Sequence, residues 1–147
     1  ELSYSAIAIL HYFQALAQHH LGTDVADSTA GQLQQTFSLI QNHEAKLSDR
    51  LLAFLRSKPN VRIIGQSEST PTRVPTIAFV VEGMNSETIP PQIDRHQIGI
   101  RYGHFYALRL IEALGLLSQN GVVRVSMVHY NTLEECDRLI ALLDKLL

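Results

Sequence analysis

The sequence VVRVSMVHYNTLEE, residues 122–135, predicts a β-strand that is followed at once by a capped α-helix. Its first half is rich in β-branched side chains that alternate between two faces, which is typical of a strand. In its second half, Thr132 and Glu135 have the spacing of a capping box, in which each side chain bonds the backbone amide of the other residue. We therefore expect a strand over 122–128 and a helix that continues to about residue 146.

The residues before this stretch predict further strands and helices. β-Branched runs bounded by glycine, proline or polar residues place strands at 61–64, 74–81 and 98–102. Helical spacing of apolar residues predicts helices over 4–20, 31–57, 85–95 and 105–114. Pro90 and Pro91 should make the first turn of the third of these irregular. This order indicates an α+β domain with a small sheet that is covered on one face.

The composition is that of a single globular domain. The chain has 147 residues, 46% of them apolar and 18% charged, which is enough to bury one core. Its 12 basic and 14 acidic residues are interspersed, which disfavours nucleic acid and membrane as partners. No apolar run approaches the ~18 residues of a membrane span. With Cys136 as the only cysteine, no internal disulfide can form, and we expect a cytoplasmic protein.

Metal binding and nucleophilic catalysis are not expected for this chain. His11, His19 and His20 have no partner four residues away, and no second histidine follows His43 at that spacing. The sequence has no glycine-rich phosphate loop and no Gly-x-Ser-x-Gly elbow. Cys136 lies among acidic residues, which should raise the pKa of its thiol and keep it unreactive.

A first candidate for a binding site is the sequence IRYGHFYA at residues 100–107. Here a predicted strand ends at a glycine, and Arg101, His104 and Tyr106 lie close to the start of a predicted helix. Polar groups at the end of a strand often form binding sites. A tight turn with polar surface residues is the alternative interpretation.

The second candidate is Arg124, which projects from an otherwise apolar strand. Alternation puts Val123, Val125 and Met127 on one face and Arg124 on the other. A half-buried guanidinium needs a partner, because leaving it unpaired is costly. That partner is either an internal Asp or Glu or the carboxylate of a substrate, which the fork of an arginine binds with two hydrogen bonds.

Together these segments resemble the C-terminal domain of the class V aminotransferases, the pyridoxal-phosphate enzymes of fold type I that include the cysteine desulfurases. In the SufS-like branch, a pattern close to Arg-Thr-Gly-His-His-Cys-Ala precedes a helix, and Arg-Ala-Ser and Tyr-Asn-Thr with two acids occur downstream. The corresponding runs here are RYGHFYA at 101–107, RVS at 124–126 and YNTLEE at 130–135. The likeness covers nearly the whole chain.

The resemblance implies a small, mainly antiparallel sheet of three or four strands, covered by helices and preceded by two helices. It also implies that Arg124 binds the carboxylate of an amino-acid-like substrate, and that Arg101, His104 and Tyr106 shape the substrate side of the pocket. The position of the desulfurase nucleophile is occupied by Tyr106. Since a phenol cannot carry a persulfide, the usual route of cysteine desulfuration is not expected.

The resemblance further implies that a large N-terminal domain is missing from this chain. That domain would carry the lysine that holds pyridoxal phosphate in the family, whereas Lys46, Lys58 and Lys145 lie in or beside helical patterns. Because Glu1 stands where a methionine is usual, we also expect a piece of a longer protein. Residues 1–147 would form its single C-terminal domain, with leading helices over 1–57 and a sheet-and-helix part over 58–147. The piece alone should bind no cofactor and be inactive, whereas its parent, a homodimeric transferase or lyase, would use pyridoxal phosphate.

Two other functions stay open at this point. The chain could be a non-catalytic, ferredoxin-like α+β domain that binds a small ligand or a regulatory partner, although such a module would not need the two leading helices. It could also belong to a desulfurase-like protein that has lost catalysis and serves as a scaffold. Turnover assays on amino acids would separate an enzyme from both.

Overall fold

The computed structural model describes residues 2–70 and 72–147. The chain divides into two compact units between His43 and Glu44, a helical unit before this point and a sheet unit after it. The division falls within the second helix of the chain.

The helical unit contains α1 (Leu2–Leu21), a short 3-10 helix and the first part of α2 (Thr29–Arg56). Both helices were predicted from the spacing of their apolar residues. The Thr36 hydroxyl donates to the carbonyl of Phe13 over 2.8 Å, and the rings of Phe13 and Phe37 lie 5.1 Å apart. These contacts join the first part of α2 to α1.

The sheet unit is built on four antiparallel strands in the order β1-β2-β4-β3. Their bounds are Val61–Ile64 for β1, Thr76–Val81 for β2, Arg101–Gly103 for β3 and Val122–Ser126 for β4. The predicted fold class, a small antiparallel sheet covered by helices and preceded by two helices, is thus confirmed. Three of the strands are shorter than the sequence indicated, or displaced from it by up to three residues.

The last helix, α5 (Leu133–Leu143), begins with the predicted capping box. The Glu135 amide donates to the Thr132 hydroxyl over 3.1 Å, and the Thr132 amide donates to the Glu135 carboxylate over 3.0 Å. This bond, together with one from the Asn131 side chain, lowers the pKa of the Glu135 carboxyl. The cap fixes the position at which the chain leaves β4 and enters α5.

The segment with two prolines is irregular, as the sequence indicated. It forms a 3-10 turn at Ser86–Thr88, and α3 (Pro90–Asp94) begins after it. The Asn85 side chain accepts from the Glu87 amide and caps the turn. The two prolines stand at the start of α3, where their missing N–H groups have no intrahelical partner to lose.

The prediction of a helix over 105–114 is wrong at its start. The helix found there, α4, spans only Leu108–Ala113. Phe105 and Tyr106 have φ angles of 48° and 63°, which lie in the left-handed region and exclude them from a right-handed helix. The chain therefore makes an irregular loop between β3 and α4.

The main core lies on one face of the sheet and contains the alternate residues that the sequence predicted. Its fully buried side chains come from α2, β2, β4 and α5, among them Leu47, Leu51, Leu55, Ile77, Phe79, Val123 and Leu143. The other face carries a second cluster, which we call the outer cluster: Val80, Ile111, Leu116 and Val122, with Ile64, Ala78 and Phe105 packed against them. The expectation of a sheet covered on one face is therefore incomplete, since Ile111 brings α4 onto the second face.

Candidate functional site

The pairing of β3 with β4 brings the two predicted arginines together. Arg101 and Arg124 are direct partners in the antiparallel register, and both residues therefore project from the same face of the sheet. Like charges directly opposite each other are destabilising in a sheet. A pair of this kind makes the face positive and suits it to an anion.

The Arg124 side chain is half-buried at the edge of the outer cluster. Its guanidinium carbon lies 3.8 Å from the centroid of the Phe105 ring, which is a cation–π stack. Within residues 2–70 and 72–147, no hydrogen bond or ion pair reaches the guanidinium. No Asp or Glu among the described residues therefore pairs with Arg124. Its N–H groups remain available to a carboxylate.

Arg101 has partners of its own. Its Nη1 donates to the carbonyl of Ile100 over 2.7 Å and lies 3.6 Å from the Asp94 carboxylate. Both side chains are at least half exposed, at 68% and 50%, so this ion pair contributes little to stability. Arg101 can therefore leave Asp94 for another anion at small cost.

The loop that follows β3 is held in an unusual backbone conformation. Gly103 has a φ of 128°, and the two aromatic residues after His104 are both left-handed. The Nδ1 of His104 accepts from the Tyr106 amide over 3.2 Å, so a neutral His104 carries its proton on Nε2. Tyr106 itself is fully exposed. Left-handed non-glycine residues cost about 1–3 kcal/mol each and are concentrated at functional sites.

The backbone at Gly121, just before β4, lies close to the backbone at Gly103. Gly121 has a φ of 82°, and a β-carbon at this position would collide with the carbonyl group of Gly103. The hydroxyl of Ser86, which is buried, donates to the carbonyl of Gly121 over 3.0 Å. The backbone at Gly121 thus supports the loop that carries His104 and Tyr106.

Phe105 was missed by the sequence analysis, although it is the residue that touches Arg124. An aromatic residue in a predicted helix gave no reason to expect a contact with a distant strand. The contact exists because the left-handed backbone turns the ring toward the sheet. The other predicted site residues, Arg101, His104 and Tyr106, all lie on β3 or on the loop that follows it.

Cys136 is a core residue of α5, whereas Tyr106 lies exposed on the loop between β3 and α4. Its Sγ donates to the carbonyl of Leu47 over 3.9 Å, and its side chain is 3% exposed. Burial, and secondarily the charge of Asp137, raise the pKa of the thiol to about 11. The predicted direction is thus confirmed, although burial contributes more than the neighbouring charge.

We expect Cys136 to react with iodoacetamide at least ~10-fold more slowly in the native protein than in the unfolded one, because little thiolate forms and access is restricted. Mass spectrometry of the alkylated fraction over time, with and without urea, measures the two rates. Equal rates would show that the thiol is open in the folded protein.

The residues of this chain do not fit the site that holds pyridoxal phosphate. No lysine occurs between residues 101 and 131. Lys58 forms an ion pair of 2.7 Å with Asp144, and Lys46 and Lys145 are exposed.

No group of three or more His, Cys, Asp or Glu side chains in the described part of the chain is placed to hold a metal ion. Over residues 2–70 and 72–147, no helix combines the length and apolar character needed to cross a bilayer.

The described residues form a four-stranded antiparallel sheet, and two helices precede it in the sequence. A sequence model described as aminotransferase class-V matches residues 30–139. The chain belongs to this family.

The chain is similar to two curated proteins and one solved structure, as follows. The chain is 45% identical over 115 residues to the aminotransferase-like protein FGM3 of Gibberella zeae, covering 77% of this chain and 29% of that protein. It is 32% identical to a probable cysteine desulfurase of Pseudomonas putida over 70% of this chain and 24% of the relative. The apo structure of cysteine desulfurase from Thermococcus onnurineus NA1 superimposes with a TM-score of 0.67 at 27% identity, over 80% of this chain and 29% of that one. The chain thus spans less than a third of the length of these proteins.

Proposed function

We propose that this chain is the substrate-side domain of a pyridoxal-phosphate enzyme, in which Arg124 binds the carboxylate of an amino-acid-like substrate. One observation carries the proposal: the half-buried Arg124 guanidinium stacks on Phe105 and has no hydrogen bond or ion pair within the described residues. A half-buried cation without a hydrogen-bonding partner is costly, and a bidentate carboxylate satisfies it.

The neighbouring residues complete the substrate side of the pocket. Arg101 is the register partner of Arg124 and adds positive charge to the same face. His104 and Tyr106 follow on the loop, where the Nε2–H of a neutral His104 and the exposed phenol of Tyr106 can donate hydrogen bonds to a bound substrate. We assign these residues to binding and orientation.

The proposed cofactor is held by a large domain that precedes this chain in the full-length protein. Pyridoxal phosphate, when bound there, acts as an electron sink for the bonds at the substrate's α-carbon. The lysine that holds it would come from that domain, since Lys46, Lys58 and Lys145 lie outside β3, β4 and the loop after β3. The isolated chain is therefore inactive, and a homodimer of the full-length protein is the proposed working form.

Persulfide chemistry at the tip of the loop is not part of this proposal. Tyr106 occupies the position of the desulfurase nucleophile, and a phenol oxygen cannot take up sulfur from a substrate as a thiolate does. The named relatives include both cysteine desulfurases and an aminotransferase-like protein. We therefore assign to this chain the binding of an amino-acid carboxylate and not desulfuration.

The test uses the full-length protein, purified with pyridoxal phosphate. We expect visible absorbance from the bound cofactor, a change in that absorbance on addition of an amino-acid substrate, and no comparable change with the corresponding amino-acid amides. The carboxamides are a matched control because they keep the amine and the side chain but lose the anionic carboxylate that Arg124 would bind. An absence of the cofactor band, as for a ferredoxin-like binding domain, would refute the enzymatic assignment. Equal responses to acids and amides would refute the carboxylate site.

A further inference from the structure

Phe105 lies between the outer cluster and the Arg124 guanidinium. Its ring packs against the buried residues of that cluster, Val80, Ile111, Leu116 and Val122. The guanidinium carbon of Arg124 lies 3.8 Å from the ring centroid. The ring is thus supported by the outer cluster and in turn supports the cation.

The backbone at Phe105 is an unfavourable one for a phenylalanine. Its φ of 48° is left-handed, where glycine and asparagine are accommodated at lower free energy. The conformation of the loop therefore does not by itself explain why position 105 is a phenylalanine. The contact with Arg124 gives a reason for an aromatic side chain here, because only a ring offers a negative face to a guanidinium.

Stacking has a consequence that an ion pair would not have. The N–H groups of a guanidinium lie in its plane, so a ring that covers one face of the plane leaves every donor free. An internal carboxylate would occupy the same donors that a substrate needs. The ring can therefore hold Arg124 without competing with a ligand.

We propose that Phe105 is a positioning residue that fixes the plane of the Arg124 guanidinium and thereby orients its fork toward the substrate carboxylate. Holding a long side chain in its binding conformation removes part of the entropy that binding would otherwise lose. Phe105 acts through Arg124 and does not touch the substrate. This inference rests on the proposed carboxylate-binding role of Arg124.

The test compares Phe105→Leu and Phe105→Tyr in the full-length protein. Leucine keeps an apolar side chain in the outer cluster but removes the aromatic face, so we expect KM for the amino acid to rise roughly 3- to 30-fold with kcat within about twofold. Tyrosine keeps the face and should restore KM to within about twofold of the wild type. Ile140→Val, which loosens the main core on the opposite face of the sheet, should leave KM unchanged.

A second measurement separates positioning from simple packing. We expect Phe105→Leu to weaken inhibition by a carboxylate-bearing substrate analogue and to spare inhibition by the amine that lacks the carboxylate. In an Arg124→Ala background, Phe105→Leu should have no further effect on KM, since it acts through that arginine. An additional loss in that background, or equal weakening of both inhibitors, would overturn the positioning role.

The outcomes also separate this inference from the function on which it rests. If Arg124→Ala raises KM while Phe105→Leu does not, the positioning role is wrong and the carboxylate site stands. If Arg124→Ala itself leaves KM unchanged, the proposed site is wrong, and the role of Phe105 is wrong with it.

Discussion

Replacement of Arg124 by alanine in the full-length protein is expected to raise KM for the amino-acid substrate by roughly 10- to 100-fold, with a much smaller change in kcat. The expected factor corresponds to loss of a charge-assisted hydrogen bond worth ~1.5–3 kcal/mol. The guanidinium has no hydrogen bond or ion pair within the described residues, so its removal leaves no buried carboxylate unpaired. Steady-state kinetics over a range of substrate concentrations measures both constants.

The stability of the variant distinguishes a binding role from a structural one. Arg124→Ala relieves a like-charge pair with Arg101 but also removes the stack on Phe105, so the unfolding midpoint should change little. Arg124→Lys keeps the charge without the planar fork and should fall between wild type and alanine. Arg62→Ala, which removes an exposed arginine from the edge strand β1, is a control that should change neither KM nor kcat. A lowered unfolding midpoint with unchanged KM would show that Arg124 serves the fold.

Much of the sheet unit was predictable because its signals are local. The capping box at Thr132 and Glu135 needs only four consecutive residues, and the structure has it. The alternation along β4 sorted Val123 and Val125 into the core and Arg124 away from it. Such patterns depend on the period of a strand and on backbone hydrogen bonds at a helix end, which neighbouring residues determine.

The candidate site was less predictable because its contacts join residues that are distant in sequence. The direct opposition of Arg101 and Arg124 follows from the strand order β1-β2-β4-β3, which no local pattern encodes. The stack of Phe105 on Arg124 depends on a left-handed backbone at a non-glycine residue. Helical propensity favoured continuing α4 back through Phe105, and the packing of its ring in the outer cluster overrode that preference.

The loop between β3 and α4 can carry different side chains at position 106, which is its exposed tip. Tyr106 is fully exposed, and its amide is bonded to His104 Nδ1 rather than to the sheet. Its side chain therefore contributes little to holding the loop, and a cysteine or a phenol could occupy the tip on the same backbone. The Arg124 guanidinium contacts Phe105 instead, with its carbon 3.8 Å from the ring centroid. In the proposed site, the contact of Arg124 with a carboxylate could therefore be kept while the residue at position 106 changes.

Replacement of Gly121 by alanine is expected to destabilise the protein by at least ~2 kcal/mol and to displace the loop after β3. Its φ of 82° is unfavourable for any L-side chain, and the added β-carbon would meet the Gly103 carbonyl group. Backbone cannot swing aside as a flexible side chain can, so β3 must move at its end. Since Phe105 follows Gly103 by two residues, its stack on Arg124 should loosen and KM should rise as well.

Gly115→Ala is the matched control for this prediction. Gly115 has a similar φ of 71°, but a β-carbon there would meet nothing within 4 Å. It should therefore show only the conformational penalty of about 1–2 kcal/mol and leave KM unchanged. Urea unfolding gives the two stabilities, and kinetics on each folded variant gives KM. If Gly121→Ala proved no worse than Gly115→Ala in both measurements, the close approach to Gly103 would not matter, and the support of the loop would have to come from the Phe105 ring alone.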